Sequence, residues 1–98
     1  MAIRIDPERN EVRALQAAAD WRGRRVLEIG CGEGRLTDRL AELGARIEAI
    51  DADAALLRKA RRRLAASFAP RVRFRVGTAD SLEHRAETFD RVVYSWVF

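Results

Sequence analysis

The sequence predicts one α/β domain built on a parallel sheet, and three observations carry that prediction. Four short apolar-rich runs are separated by stretches long enough for a helix, the spacing of βαβ crossovers. The first run stops abruptly on a glycine cluster, Gly30-Cys31-Gly32-Glu33-Gly34, as a strand does at its carboxyl end. The chain has 98 residues, 48% hydrophobic and 35% charged, which suits a single globular unit and argues against disorder. No repeat, low-complexity tract or linker divides it, so residues 1–98 are read as one domain.

The elements follow in order. Asp6-Pro7-Glu8 reads as a helix start: an N-cap, proline at the first helical position, then an acid in the first turn. Val12, Leu15, Ala18 and Ala19 continue that helix to a stop between Asp20 and Gly23, so residues 1–23 form an N-terminal helical segment and 24–98 the core. Arg24 to Ile29 is the first strand. After the glycines, Leu36, Leu40 and Leu43 fall on one face of a helix that Gly44 closes. Arg46 to Ile50 is the second strand, running into Asp51.

Asp53 caps the next helix, whose apolar stripe is Leu56, Leu57, Ala60 and Leu64. Arg58, Lys59, Arg61, Arg62 and Arg63 form its basic, solvated face, weighted toward the negative end of the helix dipole. Pro70 blocks continuation, and Val72, Phe74 and Val76 alternate with arginines as the third strand. Gly77 to Asp80 is a loop, Ser81 to Thr88 is polar and weakly patterned, and Arg91 to Phe98 is the fourth strand with its exit.

Charge and cysteine usage bound the function loosely. Lys and Arg number 19 against 15 Asp and Glu, for a net charge of +4 that fits an acidic partner such as nucleic acid without requiring one. No apolar run approaches the roughly 20 residues of a membrane span, and Met1 to Asp6 carries no apolar signal core, which points to the cytoplasm. The single cysteine, Cys31, excludes an internal disulfide and a cysteine metal cage, and no metal site is expected.

The glycine loop narrows the ligand. Its spacing is G-x-G-x-G, with Arg35 in the place of the last glycine of the dinucleotide fingerprint G-x-G-x-x-G. No lysine follows, so it is not a nucleoside-triphosphate loop. Glu28 and Glu33 put two carboxylates where a helix N-terminus would otherwise welcome a pyrophosphate. A phosphate-free ligand carrying positive charge suits them better, and S-adenosylmethionine, with its sulfonium and ammonium, is one.

Val26-Leu27-Glu28-Ile29-Gly30-Cys31-Gly32-Glu33-Gly34-Arg35-Leu36-Thr37 closely resembles the signature segment of class I S-adenosylmethionine-dependent methyltransferases. Ile50-Asp51, Thr78-Ala79-Asp80 and Phe89-Asp90-Arg91-Val92-Val93-Tyr94-Ser95 continue the resemblance in the same order. It implies a Rossmann-like, three-layer sheet, of which this chain holds strands in the order 3-2-1-4 from a family pattern 3-2-1-4-5-7-6. It also implies cofactor contacts at Glu28, Gly30, Cys31, Gly32, Gly34, Asp51, Ala52, Ala79, Asp80 and Ser95. Asp51 would take the two ribose hydroxyls, for which a carboxylate is independently a good bidentate acceptor. Asp80 would accept from the adenine amino group, and Glu28 would lie near the cofactor's own amino group. Cys31 is read as a small residue between glycines rather than a nucleophile. No catalytic base is identifiable.

The resemblance implies methyl transfer to an acceptor, with a small molecule as the first expectation. A non-catalytic cofactor-binding module and a nucleic-acid methyltransferase using the arginine face are the alternatives. Ending after the fourth strand would leave that strand, with Val92, Val93, Trp96 and Phe98, as an unguarded edge. Two readings stand: the chain is the cofactor-binding portion of a longer enzyme, incomplete at its C-terminus, or a second copy or partner chain covers the edge.

Overall fold

A computed structural model of the chain describes the backbone of residues 2–5 and all of residues 20–78 and 88–95. Five strands, β1 (Ala2–Ile5), β2 (Arg25–Ile29), β3 (Arg46–Asp51), β4 (Val72–Val76) and β5 (Arg91–Ser95), form one sheet in the order β1-β5-β2-β3-β4. Every pairing is parallel. Helix α1 (Arg35–Glu42) connects β2 to β3, and α2 (Ala54–Arg63), followed by a 3-10 turn at Ala69–Arg71, connects β3 to β4. The four expected strands thus stand in their expected order, as β4-β3-β2-β5.

The first strand corrects the sequence reading twice. No strand is anticipated before Arg24, yet Ala2–Ile5 pairs with β5, Ala2 beside Val92 and Ile5 beside Ser95. The edge expected to be open on β5 is therefore filled by the chain's own N-terminus, and β5 lies between β1 and β2. Four residues are too few for a periodicity test, and such a strand owes its existence to the neighbour it pairs with. The helix expected over Asp6 to Ala19 lies outside the described residues, as do Ala79, Asp80 and Trp96 to Phe98.

Each helix ends are specified locally. Leu43, Gly44 and Ala45 finish α1 in a Schellman motif, with the Ala45 N–H donating to the Leu40 carbonyl at 3.1 Å and the Gly44 N–H to Ala41 at 3.0 Å. Asp53 caps α2 as expected, its Oδ1 accepting from the backbone of Ala55 at 2.9 Å and Leu56 at 3.3 Å. Both helices pack on one sheet face, where Leu36, Leu40, Leu57 and Ala60 meet Val26, Ile47, Ala49, Phe74 and Val93. The other face buries Leu27 and Ile50 against Ile29, Phe89 and Val92. Three consecutive residues of β2, Val26 to Glu28, are buried, as a central parallel strand covered on both faces requires. On β4, at the sheet edge, only Phe74 is buried, and the exposed Arg73 and Arg75 guard the edge against further pairing.

Candidate cofactor site

Strand order reverses at β2: β3 and β4 lie to one side and β5 to the other. Open parallel sheets bind ligands in the crevice above such a point, at the carboxyl ends of the strands. The glycine loop sits there because β2 ends at Ile29 and the chain must turn at once into α1. Gly30 has φ 80° and Gly34 φ 87°, in the left-handed region where side chains are strained. At Gly34 space is tight as well, since a Cβ would lie 3.1 Å from that of Ala60 in α2. That close approach lets α1 and α2 pack side by side over the sheet.

Asp51 organises the loop from the neighbouring strand. Its Oδ2 accepts from the Gly32 N–H and its Oδ1 from the Asp53 N–H, both at 2.9 Å. The Gly30 and Cys31 N–H groups donate to the Ile50 carbonyl at 2.9 and 3.0 Å. Asp51 is half-exposed, and each carboxylate oxygen has further lone-pair capacity after these bonds. It is therefore held rigidly with acceptors to spare, which fits a vicinal diol. Asp53, bound to the start of α2, is structural as expected.

Glu28 is fully buried, with no exposed surface. Thr37 of α1 donates to its Oε1 at 2.5 Å and Ser95 of β5 to its Oε2 at 2.6 Å. It is thus no solvated strand-end acid: its carboxyl ties β2, α1 and β5 together directly beneath the loop. Burial raises its pKa from 4.5 to about 7, with the two hydroxyl bonds pulling the other way. Ser95 was an expected site residue, but Thr37 was not. A buried acid on a central strand needs a donor, and Thr37, one position after Leu36 on the inner side of α1, supplies it.

The remaining residues divide. Gly32 and Cys31 are buried in the loop, and Ala52 is exposed beside Asp51. Burial, then the carboxyls of Glu28 and Asp51, push the Cys31 thiol well above its usual range, so it stays protonated and inert, as read from the sequence. Glu33 is exposed and pairs with Lys59 at 3.9 Å. With Glu33 turned to α2 and Glu28 buried against Thr37 and Ser95, Asp51 is the acid that faces the loop. The basic face of α2 is also less free than expected: Arg61 donates to the Phe74 carbonyl at 3.0 Å, and Arg63 to the Glu33 carbonyl at 2.9 Å. Asp90, outside the site, accepts from the Arg25 N–H at 2.8 Å and joins the starts of β2 and β5. Among the described residues, no group of His, Cys, Asp and Glu is placed to hold a metal.

A parallel sheet with a glycine loop at its switch point and an acid at the end of the next strand defines a nucleoside-cofactor-binding α/β domain. Residues 26–98 match the methyltransferase domain family, and the chain belongs to it. It is 44% identical over 81 residues to the protein-L-isoaspartate O-methyltransferase of Methylorubrum populi, covering 83% of this chain and 38% of that protein. With the ubiquinone biosynthesis O-methyltransferase of Methylocella silvestris it shares 41% identity over 71 residues, 72% of this chain and 27% of that protein. The chain thus spans well under half of these curated relatives. An RNA methyltransferase from Salinibacter ruber, solved with S-adenosyl-L-homocysteine, superposes with a TM-score of 0.75 at 28% identity, over 89% of this chain and 57% of that one. The cofactor of the family is S-adenosylmethionine. No helix among the described residues is long and apolar enough to cross a membrane.

Proposed function

We propose that this chain is the cofactor-binding portion of an S-adenosylmethionine-dependent methyltransferase, and that the Asp51 carboxylate, locked to Gly32 and Asp53, carries the binding by accepting from the ribose hydroxyls. When bound, the cofactor supplies an already activated methyl group on its sulfonium. The chain's own part is then to hold and orient. The Gly30–Gly34 turn lets backbone come close to the ligand without Cβ atoms in the way. Glu28 fixes the loop's floor through Thr37 and Ser95 rather than presenting a free carboxylate. Ala79 and Asp80, which follow β4, complete the adenine end in this reading.

The acceptor is proposed to be a small molecule, in keeping with the ubiquinone biosynthesis relative. A nucleic-acid acceptor gripped by α2 has less support, because Lys59, Arg61 and Arg63 are already engaged within the fold. Calorimetric titration of S-adenosylmethionine against the wild-type chain and Asp51→Ala tests the cofactor reading. Binding by the wild type and a loss of about 100-fold in the variant are expected, the worth of two charge-assisted hydrogen bonds. Equal affinities, or no binding by folded wild type, would overturn it.

A further inference from the structure

An open concavity, of about 530 Å³, lies at the opposite end of the strands from the glycine loop. Arg25, Arg46, Arg71 and Arg73 line it, with Phe89 and Glu48 among the other walls. Arg25 and Arg46 open β2 and β3 side by side in register, and Arg73 follows the 3-10 turn that carries Arg71. We propose that this pocket is a second ligand site, specific for a small phosphorylated compound of about nucleotide size.

Four arginines against one carboxylate leave the lining with a net positive charge, and planar guanidinium forks match phosphate oxygens two at a time. Arg71 is already oriented: it donates to the Ala45 carbonyl at 2.9 Å and lies over the Phe68 ring at 5.5 Å. One of its five donors is spent there, leaving the rest of the fork for a ligand. The single carboxylate of the lining, Glu48, faces Arg75 at 3.7 Å, and Arg75 is not part of the wall. It is thereby partly neutralised before any ligand arrives. Half-buried Phe89, packed on the Leu27–Ile50 cluster, gives the site an apolar surface for the body of such a compound. The volume is that of a small-molecule site, whereas a nucleic-acid strand would need a longer track of phosphate contacts. The site shares no residue with the glycine loop or Asp51, so it stands or falls independently of the cofactor reading.

Uridine diphosphate is the probe: it carries the phosphates the cofactor lacks, and competition with S-adenosyl-L-homocysteine shows whether its ribose is instead taken at Asp51. Titrated at low salt against the full chain, it should bind with or without saturating S-adenosyl-L-homocysteine. Arg46→Gln and Arg73→Gln should each weaken it about tenfold, the scale of one charge-assisted hydrogen bond, and both exposed variants should fold as the wild type does by circular dichroism. Absence of binding, displacement by S-adenosyl-L-homocysteine, or indifference to both substitutions would overturn the proposal. So would a short single-stranded RNA that binds through the same arginines more tightly than the nucleotide, which would make the surface a nucleic-acid contact instead.

Discussion

The two ends of the same sheet are built on opposite terms. At the carboxyl end, the chain places glycines and hydrogen-bonded acids: Gly30 and Gly34 with positive φ, Glu28 without exposed surface, Asp51 bonded to two backbone N–H groups. At the amino end it places exposed arginines on regular strand positions, Arg25, Arg46 and Arg73, with ordinary backbone. The first end is a preformed, over-determined geometry in which each group has neighbours that depend on it. The second is a charge distribution laid over a strand framework that would fold much the same without it. A side chain should therefore matter to stability at one end and to ligand electrostatics at the other.

The sharpest way to break that contrast is Glu28→Ala. Two buried hydroxyls, of Thr37 and Ser95, lose their acceptor and a cavity opens, so a loss of about 3–5 kcal/mol in denaturant unfolding is expected. Glu28→Gln keeps the shape and an acceptor, and should cost no more than about 1 kcal/mol near neutral pH. The same variant changes the pH dependence. With the folded pKa raised from 4.5 to about 7, the native state holds a proton that the unfolded chain has released across that window. Wild-type stability should therefore fall as pH rises from 4.5 to 7, by about 3 kcal/mol in all, and Glu28→Gln should flatten that slope. A Glu28→Gln profile that runs parallel to the wild type's through this window would refute a buried, proton-retaining Glu28.

Asp51→Ala comes next, with its expected loss of about 100-fold in cofactor affinity, or about 2.7 kcal/mol. Gly34→Ala should cost about 1–2 kcal/mol, because φ 87° strains any L-residue and the new Cβ would press on Ala60. The smallest effect belongs to the other end: Arg46→Gln should leave stability within about 0.5 kcal/mol and cofactor affinity unchanged. Comparable losses from Gly34→Ala and Arg46→Gln would erase the distinction between the two ends.

Much of this was legible in the sequence wherever local rules act. The crossover spacing, the Asp53 cap, the Gly44 stop and the glycine loop each announce themselves within a few residues, and the structure has them all. What escaped depends on groups distant in the chain. β1 is specified by β5, and Thr37 matters because it faces an acid nine residues earlier on another element. Glu33 reads as a loop charge until Lys59 is seen beside it. The arginine pocket was hidden for the same reason, since strand-start arginines look like scattered surface charge until the register sets them side by side.

The pairing of β1 with β5 also imposes an order of assembly. Ala2 and Val92 are partners about 90 residues apart, whereas β2 and β3 meet across one helix. Loop-closure entropy and synthesis from the N-terminus both let β2, β3 and β4 associate first. β1, made before the other four strands, is then the last to find its place, and until β5 has been made it has no strand beside which to lie.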